Sequence, residues 1–137
     1  MDFDTLKNNL QILEGNDRTS YLIDLSKKSE GISSKEKNDN TRIWGCASIS
    51  FLKVKNIYPN VNINTDSESV LVKGLLFILD CYVNGKNYTE ILSIDEKALM
   101  EEIGMKNIVT SQRMNGFYSA IILLKKYLTE NLKKDLL

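Results

Sequence analysis

The feature that most constrains the fold is a segment in the middle of the chain that is apolar on nearly every side. From Val70 to Leu79 the sequence reads VLVKGLLFIL. A helix that is apolar all round is buried in a protein core, whereas a surface helix has one apolar stripe. The sequence therefore predicts a central buried helix that opens at Asp66 or Ser67 and ends near Val83.

The polar residues of this helix, Ser69, Lys73, Asp80 and Asn84, are spaced to form one narrow stripe, which we expect to face solvent. Cys81 lies in an apolar row of the same helix. Apolar surroundings raise the pKa of a thiol and leave it unreactive. Cys81 is therefore interpreted as a small core residue.

A second stretch, Arg42 to Lys55, presents the other cysteine differently. It reads RIWGCASISFLKVK, and from Ser48 onward polar and apolar residues alternate, which is typical of a half-buried strand. Cys46 lies just before this strand, on a turn where Gly45 lets the backbone bend. A cysteine at the end of a strand is presented to a partner, so Cys46 is the candidate functional residue.

The remaining pattern predicts an α+β fold, a small antiparallel sheet flanked by helices. Val61, Ile63 and Thr65 alternate with asparagines and indicate a hairpin partner for the first strand. A short strand from Thr41 to Trp44 would bring the sheet to about three strands, and a sheet this small needs helices on a face to be stable.

The flanking helices are predicted from their caps and their apolar spacing. They run from Thr5 to about Glu14, from Arg18 to about Ser29, from a capping box at Ser93–Glu96 to Gly104, and from Thr110 or Ser111 to about Lys133. Two residues near the start of the last helix break local preferences. Arg113 puts a cation at the positive end of the helix dipole, and Gly116 is less favourable than alanine by about 1 kcal/mol. Such exceptions often mark a functional site.

Length and charge limit the kinds of protein that this chain can be. With 137 residues, 42% of them hydrophobic, it can bury one core and is interpreted as a single domain over residues 1–137. Lysine plus arginine and aspartate plus glutamate each number 18, so no excess positive charge is available for a nucleic-acid backbone. The apolar runs are too short for a membrane span, and the first residues do not resemble a signal peptide. We expect a soluble chain of the cytoplasm, or of an organelle matrix if a transit peptide is missing, with no nucleic-acid or membrane partner.

The absence of histidine excludes several classes of site. With 0 histidines and 2 cysteines far apart in sequence, the chain has no ligand set for zinc or an iron–sulfur cluster and no Cys–His or Ser–His catalytic pair. Two lone cysteines also argue against a disulfide framework. We therefore expect no metal site and no cofactor.

Three motifs in order resemble the signature of the SufE family, the sulfur acceptors that work with cysteine desulfurases. They are GCAS at residues 45–48, DSESVLVKGLL at 66–76 and SQRMNG at 111–116. The likeness extends from the YLIDL of the second helix onward. Two positions depart from the pattern, since family members commonly carry glutamine where this chain has Ala47 and often asparagine where it has Thr41.

The resemblance implies a fold similar to that of the IscU scaffold proteins. It also implies that Cys46 accepts sulfur as a persulfide from a cysteine desulfurase of the SufS or CsdA type. The sulfur would then pass to iron–sulfur cluster assembly, with a scaffold complex as a further partner. On this hypothesis the chain is a sulfur carrier and desulfurase activator, not an enzyme in its own right.

Sulfur transfer of this kind needs a thiolate and an open approach but no imidazole base, which fits a chain without histidine. Arg42 and Arg113 are the candidates for positive charge that favours a thiolate and for docking to the desulfurase; alternatively, both are ordinary surface arginines. Asp66 and Lys73 match motif positions of the family. Helix capping would also explain the first, and a solvent-facing position the second.

Two other functions remain open from the sequence. A stand-alone thiol enzyme would need a resolving cysteine or a base beside Cys46, and the sequence offers only Cys81 on a buried helix. An adaptor that binds a desulfurase without carrying sulfur would need no reactive thiol. Ala47 in place of the usual glutamine keeps this hypothesis open.

Overall fold

The chain folds as helices around one antiparallel hairpin, as seen in a computed structural model that describes residues 1–104 and 111–135. Within the last helix, the side chains of residues 111–114 and 133–135 lie outside the described part. The elements follow the order α1 (Phe3–Ile12), α2 (Asn16–Lys28), β1 (Ser50–Asn56), β2 (Asn62–Ser67), α3 (Val70–Val83), α4 (Tyr88–Leu92), α5 (Glu96–Ile103) and α6 (Ser111–Asp135). The predicted α+β class, with its small antiparallel sheet, is confirmed.

α3 is the central packing element of the fold, since α1, α2, α6 and β2 all contact it. Its most buried side chains include Leu75, Leu76, Ile78 and Leu79. The Ser69 hydroxyl caps its N-terminus by accepting the Val72 N–H. The predicted central helix is confirmed, but it starts later than predicted because Asp66 and Ser67 are the last residues of β2.

β1 and β2 pair so that alternate residues face the core. Ser50 lies opposite Ser67 and Leu52 lies opposite Thr65, and all four residues are buried. The alternation that predicted these strands is therefore a true burial pattern. It also places two serine hydroxyls on the buried face, at the end of the hairpin where β1 begins.

The predicted third strand, from Thr41 to Trp44, is reduced to a single bridge. Arg42 pairs with Phe51, and backbone hydrogen bonds of 2.8 and 2.7 Å flank this pair. Pairing goes no further because the chain turns at Gly45, whose φ of +90° lies in the left-handed region that favours glycine. The sheet in the described residues therefore has two strands.

A short helix that the sequence pattern did not predict, α4, precedes α5. Asn87 and Glu90 form its capping box, in which each side chain accepts the backbone N–H of the other residue. The capping box predicted at Ser93–Glu96 is a simpler cap, because Asp95 accepts a backbone N–H from the first turn of α5. α5 ends at Gly104, as predicted.

α6 closes the core against β1, α3 and α4. Its fully buried side chains include Phe117, Ile121, Leu124 and Leu128. In the described ranges, no helix combines the length and the apolar character that crossing a membrane requires.

Asp80 departs from the polar stripe predicted for α3, because its side chain is only 7% exposed. The Thr65 hydroxyl lies 2.9 Å from one carboxyl oxygen and 3.0 Å from the other. Burial raises the pKa of Asp80 to about 8, although the hydrogen bonds from Thr65 act in the opposite direction. The carboxyl is therefore mostly protonated at neutral pH.

We expect Asp80 to make the protein less stable as the pH rises from the ordinary aspartate pKa of 3.8 towards the folded-state pKa of about 8. In this window the folded state holds a proton that the unfolded state has lost, so the free energy of unfolding falls by about 1.4 kcal/mol per pH unit. Asp80→Asn cannot ionise and keeps an oxygen for the Thr65 hydroxyl, so it should remove this slope. Chemical denaturation of both proteins at a series of pH values measures how the free energy of unfolding depends on pH. The same pH dependence in both proteins would contradict the role of Asp80.

Candidate functional site

Cys46 lies where the sequence predicts, on the loop of residues 44–49 between the Arg42 bridge and β1. Its side chain is half-buried. Ile43, just before the loop, is buried in the core, whereas Trp44 at the start of the loop is 58% exposed. The loop is thus anchored to the core at one end and open to solvent beside the cysteine.

The backbone of α6 forms one wall around the thiol. A Cβ atom built on Gly116 would lie 2.6 Å from the Cys46 Sγ, well inside van der Waals contact. A Cβ built on Gly45 would lie 3.1 Å from the Ser119 Oγ on the same helix. The missing side chain at Gly116 is therefore what allows the sulfur to sit against α6, and the unfavourable glycine in this helix has a packing reason.

Two buried hydroxyls lie on another side of the thiol. The Cys46 Sγ is 3.4 Å from the Ser50 Oγ, in a hydrogen bond in which either atom can donate. The Ser50 Oγ is 2.8 Å from the Ser67 Oγ. The sequence motifs do not single out these serines, although one signal is present in the strand pattern. Ser50 lies two residues before Leu52 and so shares its buried face.

Asp66 is a buried carboxylate at the end of β2 and not the cap of α3. It accepts the Ile32 N–H at 3.0 Å and the Ser67 N–H at 2.9 Å, and its oxygens lie 3.1 Å from the Lys37 Nζ and 3.5 Å from the Lys73 Nζ. Burial on its own would raise the pKa of this carboxyl, but the hydrogen bonds and the two lysine charges outweigh burial and lower the pKa.

The prediction that Lys73 lies on a solvent-facing polar stripe is therefore wrong. It joins Asp66 and Lys37 in one charged cluster. Ser67 connects this cluster to the cysteine loop, because its N–H binds Asp66 and its hydroxyl binds Ser50.

Of the two arginines named from the sequence, the structure describes the side chain of one, Arg42. The Arg42 guanidinium carbon lies 4.3 Å from the centre of the Trp44 ring, a cation–π contact that holds its charge beside the loop. The Trp44 indole N–H donates to the Asp39 C=O at 3.3 Å. Arg113 belongs to α6, but its side chain lies outside the described residues. The docking and charge roles of both arginines remain predictions.

The second cysteine, Cys81, lies on α3 and packs half-buried against the core. Burial raises the pKa of its thiol, so a smaller fraction is thiolate at neutral pH. This setting supports its interpretation as a packing residue. Across residues 1–104 and the described side chains of α6, no cluster of three or more cysteine and acidic side chains could hold a metal ion.

Comparison of the chain with known proteins links it to iron–sulfur metabolism. The SufE family model, described as an Fe-S metabolism associated domain, matches residues 4–128. The cysteine desulfuration protein SufE of Wigglesworthia glossinidia brevipalpis is 29% identical over 109 residues, which cover 77% of this chain and 74% of that protein. An uncharacterized SufE-like protein of Rhizobium etli is 28% identical over 109 residues, again 77% of this chain and 74% of that protein.

A solved structure has the same fold. The solution structure of a hypothetical protein from Thermus thermophilus superimposes with a TM-score of 0.75 and covers 97% of this chain and 99% of that one. Its sequence identity is 17%, so this likeness concerns the fold alone. Because the family model spans the chain from residue 4 to residue 128, this protein belongs to the SufE family and has a role in Fe-S metabolism.

Proposed function

We propose that this chain accepts sulfur on Cys46 as a persulfide from a cysteine desulfurase of the SufS or CsdA type and delivers it to iron–sulfur cluster assembly. The family model supports the pathway, and the relative named as a cysteine desulfuration protein supports the partner. The observation that carries the proposal is the position of Cys46, a half-buried thiol on a loop that opens to solvent beside the exposed Trp44.

The two cysteines differ in a way that favours Cys46 as the acceptor. Cys81 is held on the central helix, and burial raises the pKa of its thiol. A thiol that resists ionisation is a poor nucleophile, because the thiolate is the reacting form. Cys46 lies on a loop instead, where a partner protein can reach the sulfur without opening the core.

The transfer is an exchange between thiolate and persulfide. The Cys46 thiolate attacks the outer sulfur of a persulfide on the desulfurase cysteine, and a new S–S bond forms. The original S–S bond breaks, and the desulfurase cysteine leaves as a thiolate. No external oxidant is needed, because the sulfur moves with its oxidation state unchanged. Delivery repeats the exchange, with the next thiolate attacking and Cys46 leaving.

The surroundings of Cys46 suit a temporary store of sulfur. The α6 backbone at Gly116 and the buried Ser50 cover the thiol on two sides. Such cover reduces the directions from which a small reductant can attack a persulfide. Attack along the S–S bond needs only one open direction, and the loop leaves one for the partner.

The proposal is tested by desulfuration of cysteine in the absence of reductant, with increasing amounts of this chain. A sulfur carrier should raise the yield of alanine by one molecule per chain added, because each Cys46 accepts one sulfur. An adaptor that carries no sulfur would change the rate of alanine formation but not this stoichiometry. A yield that does not depend on the amount of chain would overturn the carrier function.

A further inference from the structure

The Ser50 hydroxyl is placed to change its hydrogen-bond partner. It is fully buried, at 0% exposure. Its oxygen lies 3.4 Å from the Cys46 Sγ, 2.8 Å from the Ser67 Oγ and 3.1 Å from the Ser48 C=O. A hydroxyl has one proton to donate and two lone pairs to accept with. The direction of donation along this row of atoms therefore depends on which neighbour carries a proton.

We propose that Ser50, supported by Ser67, is a positioning residue that donates a hydrogen bond to the Cys46 sulfur whenever that sulfur is a thiolate. The inference rests on the proposed role of Cys46 as sulfur acceptor. It names the groups of this chain that hold the reactive form of the thiol where no histidine exists.

When Cys46 is a thiol, each group donates its proton to the next group farther from the cysteine. The Cys46 S–H donates to the Ser50 Oγ, and the Ser50 O–H donates to the Ser67 Oγ. The Ser67 O–H then points to the Ile49 C=O, 3.5 Å away. Every hydroxyl proton in this arrangement has an acceptor.

In the thiolate state the two hydroxyls rotate and the row reverses. The Ser50 O–H donates to the sulfur, and the Ser67 O–H donates to the Ser50 Oγ across the same 2.8 Å. The Ile49 C=O loses its long contact but keeps the Glu68 N–H at 3.0 Å, and the Ser67 Oγ keeps the Ser69 N–H at 3.2 Å. No heavy atom has to move, and the Ile49 C=O and the Ser67 Oγ each keep a partner. The carbonyl that gives up the Ser50 hydroxyl belongs to Ser48, which is only half-buried, so the reversal is inexpensive.

A donor at this position acts on both halves of the exchange. Before sulfur is accepted, it stabilises the thiolate that attacks. When sulfur is delivered, it stabilises the thiolate that leaves. Stabilisation also lowers the nucleophilicity of the thiolate, with a Brønsted coefficient of about 0.4–0.5, so a tenfold gain in thiolate is offset by only about a threefold loss in reactivity.

The experiment is the pH profile of Cys46 alkylation by iodoacetamide, read by mass spectrometry of the peptide that contains Cys46. Ser50→Ala should move the midpoint of the profile upward by about one pH unit, the size of effect expected from one hydrogen bond to a charged group. Ser67→Ala should move it in the same direction by less, because Ser50 keeps its own proton to donate. A merely structural role of the serines would not shift a midpoint in a folded protein.

Two controls accompany this profile. Ser119→Ala removes a hydroxyl of α6 that lies beside Gly45, and it should leave the midpoint unchanged. Labelling of Cys81 in the same samples should not respond to either serine. If Ser50→Ala fails to fold, the midpoint of the alkylation profile of Ser67→Ala provides the test instead. An unmoved midpoint in every variant that folds overturns the inference.

This measurement uses no desulfurase, so it separates the inference from the proposed function. A shifted midpoint together with no gain in alanine would keep the role of Ser50 and remove the carrier function. A stoichiometric gain in alanine with an unmoved midpoint would keep the carrier function and overturn the role of Ser50.

Discussion

Replacing Cys46 by serine should abolish sulfur acceptance and the dependence of alanine yield on this chain, while the fold remains. A serine hydroxyl cannot form a persulfide, so the exchange has no acceptor atom. The substitution is close in shape, and the new hydroxyl can still hydrogen-bond to Ser50, 3.4 Å from the present sulfur. The measurement is alanine formation by the desulfurase with each protein, accompanied by thermal unfolding.

Cys81→Ser is the matched control for this result. Its hydroxyl would sit half-buried on α3 among apolar side chains, and we expect a cost of about 1–3 kcal/mol in stability with normal sulfur acceptance. The two variants should thus separate function from stability. If Cys81→Ser lost sulfur acceptance and Cys46→Ser kept it, the assignment of Cys46 would be wrong.

Gly116→Ala should have the second large effect, because the added Cβ would lie 2.6 Å from the Cys46 Sγ. Alanine is better than glycine in a helix by about 1 kcal/mol, but overpacking costs about 1–3 kcal/mol, so the clash should decide. We expect the loop to move outward with its thiol. Sulfur acceptance from the desulfurase should fall by about tenfold or more, since misplacement by about 1 Å is enough for such losses. Alkylation by a small reagent should not fall.

A double variant shows whether the clash with sulfur is the cause. In a Cys46→Ala background the sulfur is absent, and the remaining contact of the new Cβ is with the Cβ of residue 46, at 3.4 Å. Gly116→Ala should then stabilise the protein by about 1 kcal/mol through helix propensity alone. A destabilisation of equal size in both backgrounds would mean that α6 rejects the side chain for another reason.

The elements that could be predicted were those with a long, regular burial pattern. The apolar segment from Val70 to Leu79 identified the central helix, and the alternation around Leu52 identified the hairpin. The third strand was predicted too long because its segment lies between a turn that ends at Thr41 and the turn at Gly45, so that only the bridge at Arg42 forms. α4 was missed because five residues are too few to show a helical period.

Within the site, what could be predicted was the chemistry of single residues and not their pairing. Cys46 was identified from its motif and its place before a strand. That Lys37 and Lys73 would meet at Asp66 could not be read from the sequence, because ion pairs between distant positions leave no periodic signal. Gly116 was noticed as an exception in a helix, and the contact with Cys46 supplies the reason that the sequence lacks.

The central claim is tested most directly by locating the transferred sulfur. The chain is incubated with a cysteine desulfurase and cysteine, the free thiols are blocked, and the peptides are analysed by mass spectrometry. We predict that the peptide containing Cys46 gains the mass of one sulfur atom, that reductant removes this mass, and that the peptide containing Cys81 does not change. Sulfur on Cys81, or on neither cysteine while the desulfurase is active, would contradict the claim that Cys46 is the sulfur acceptor.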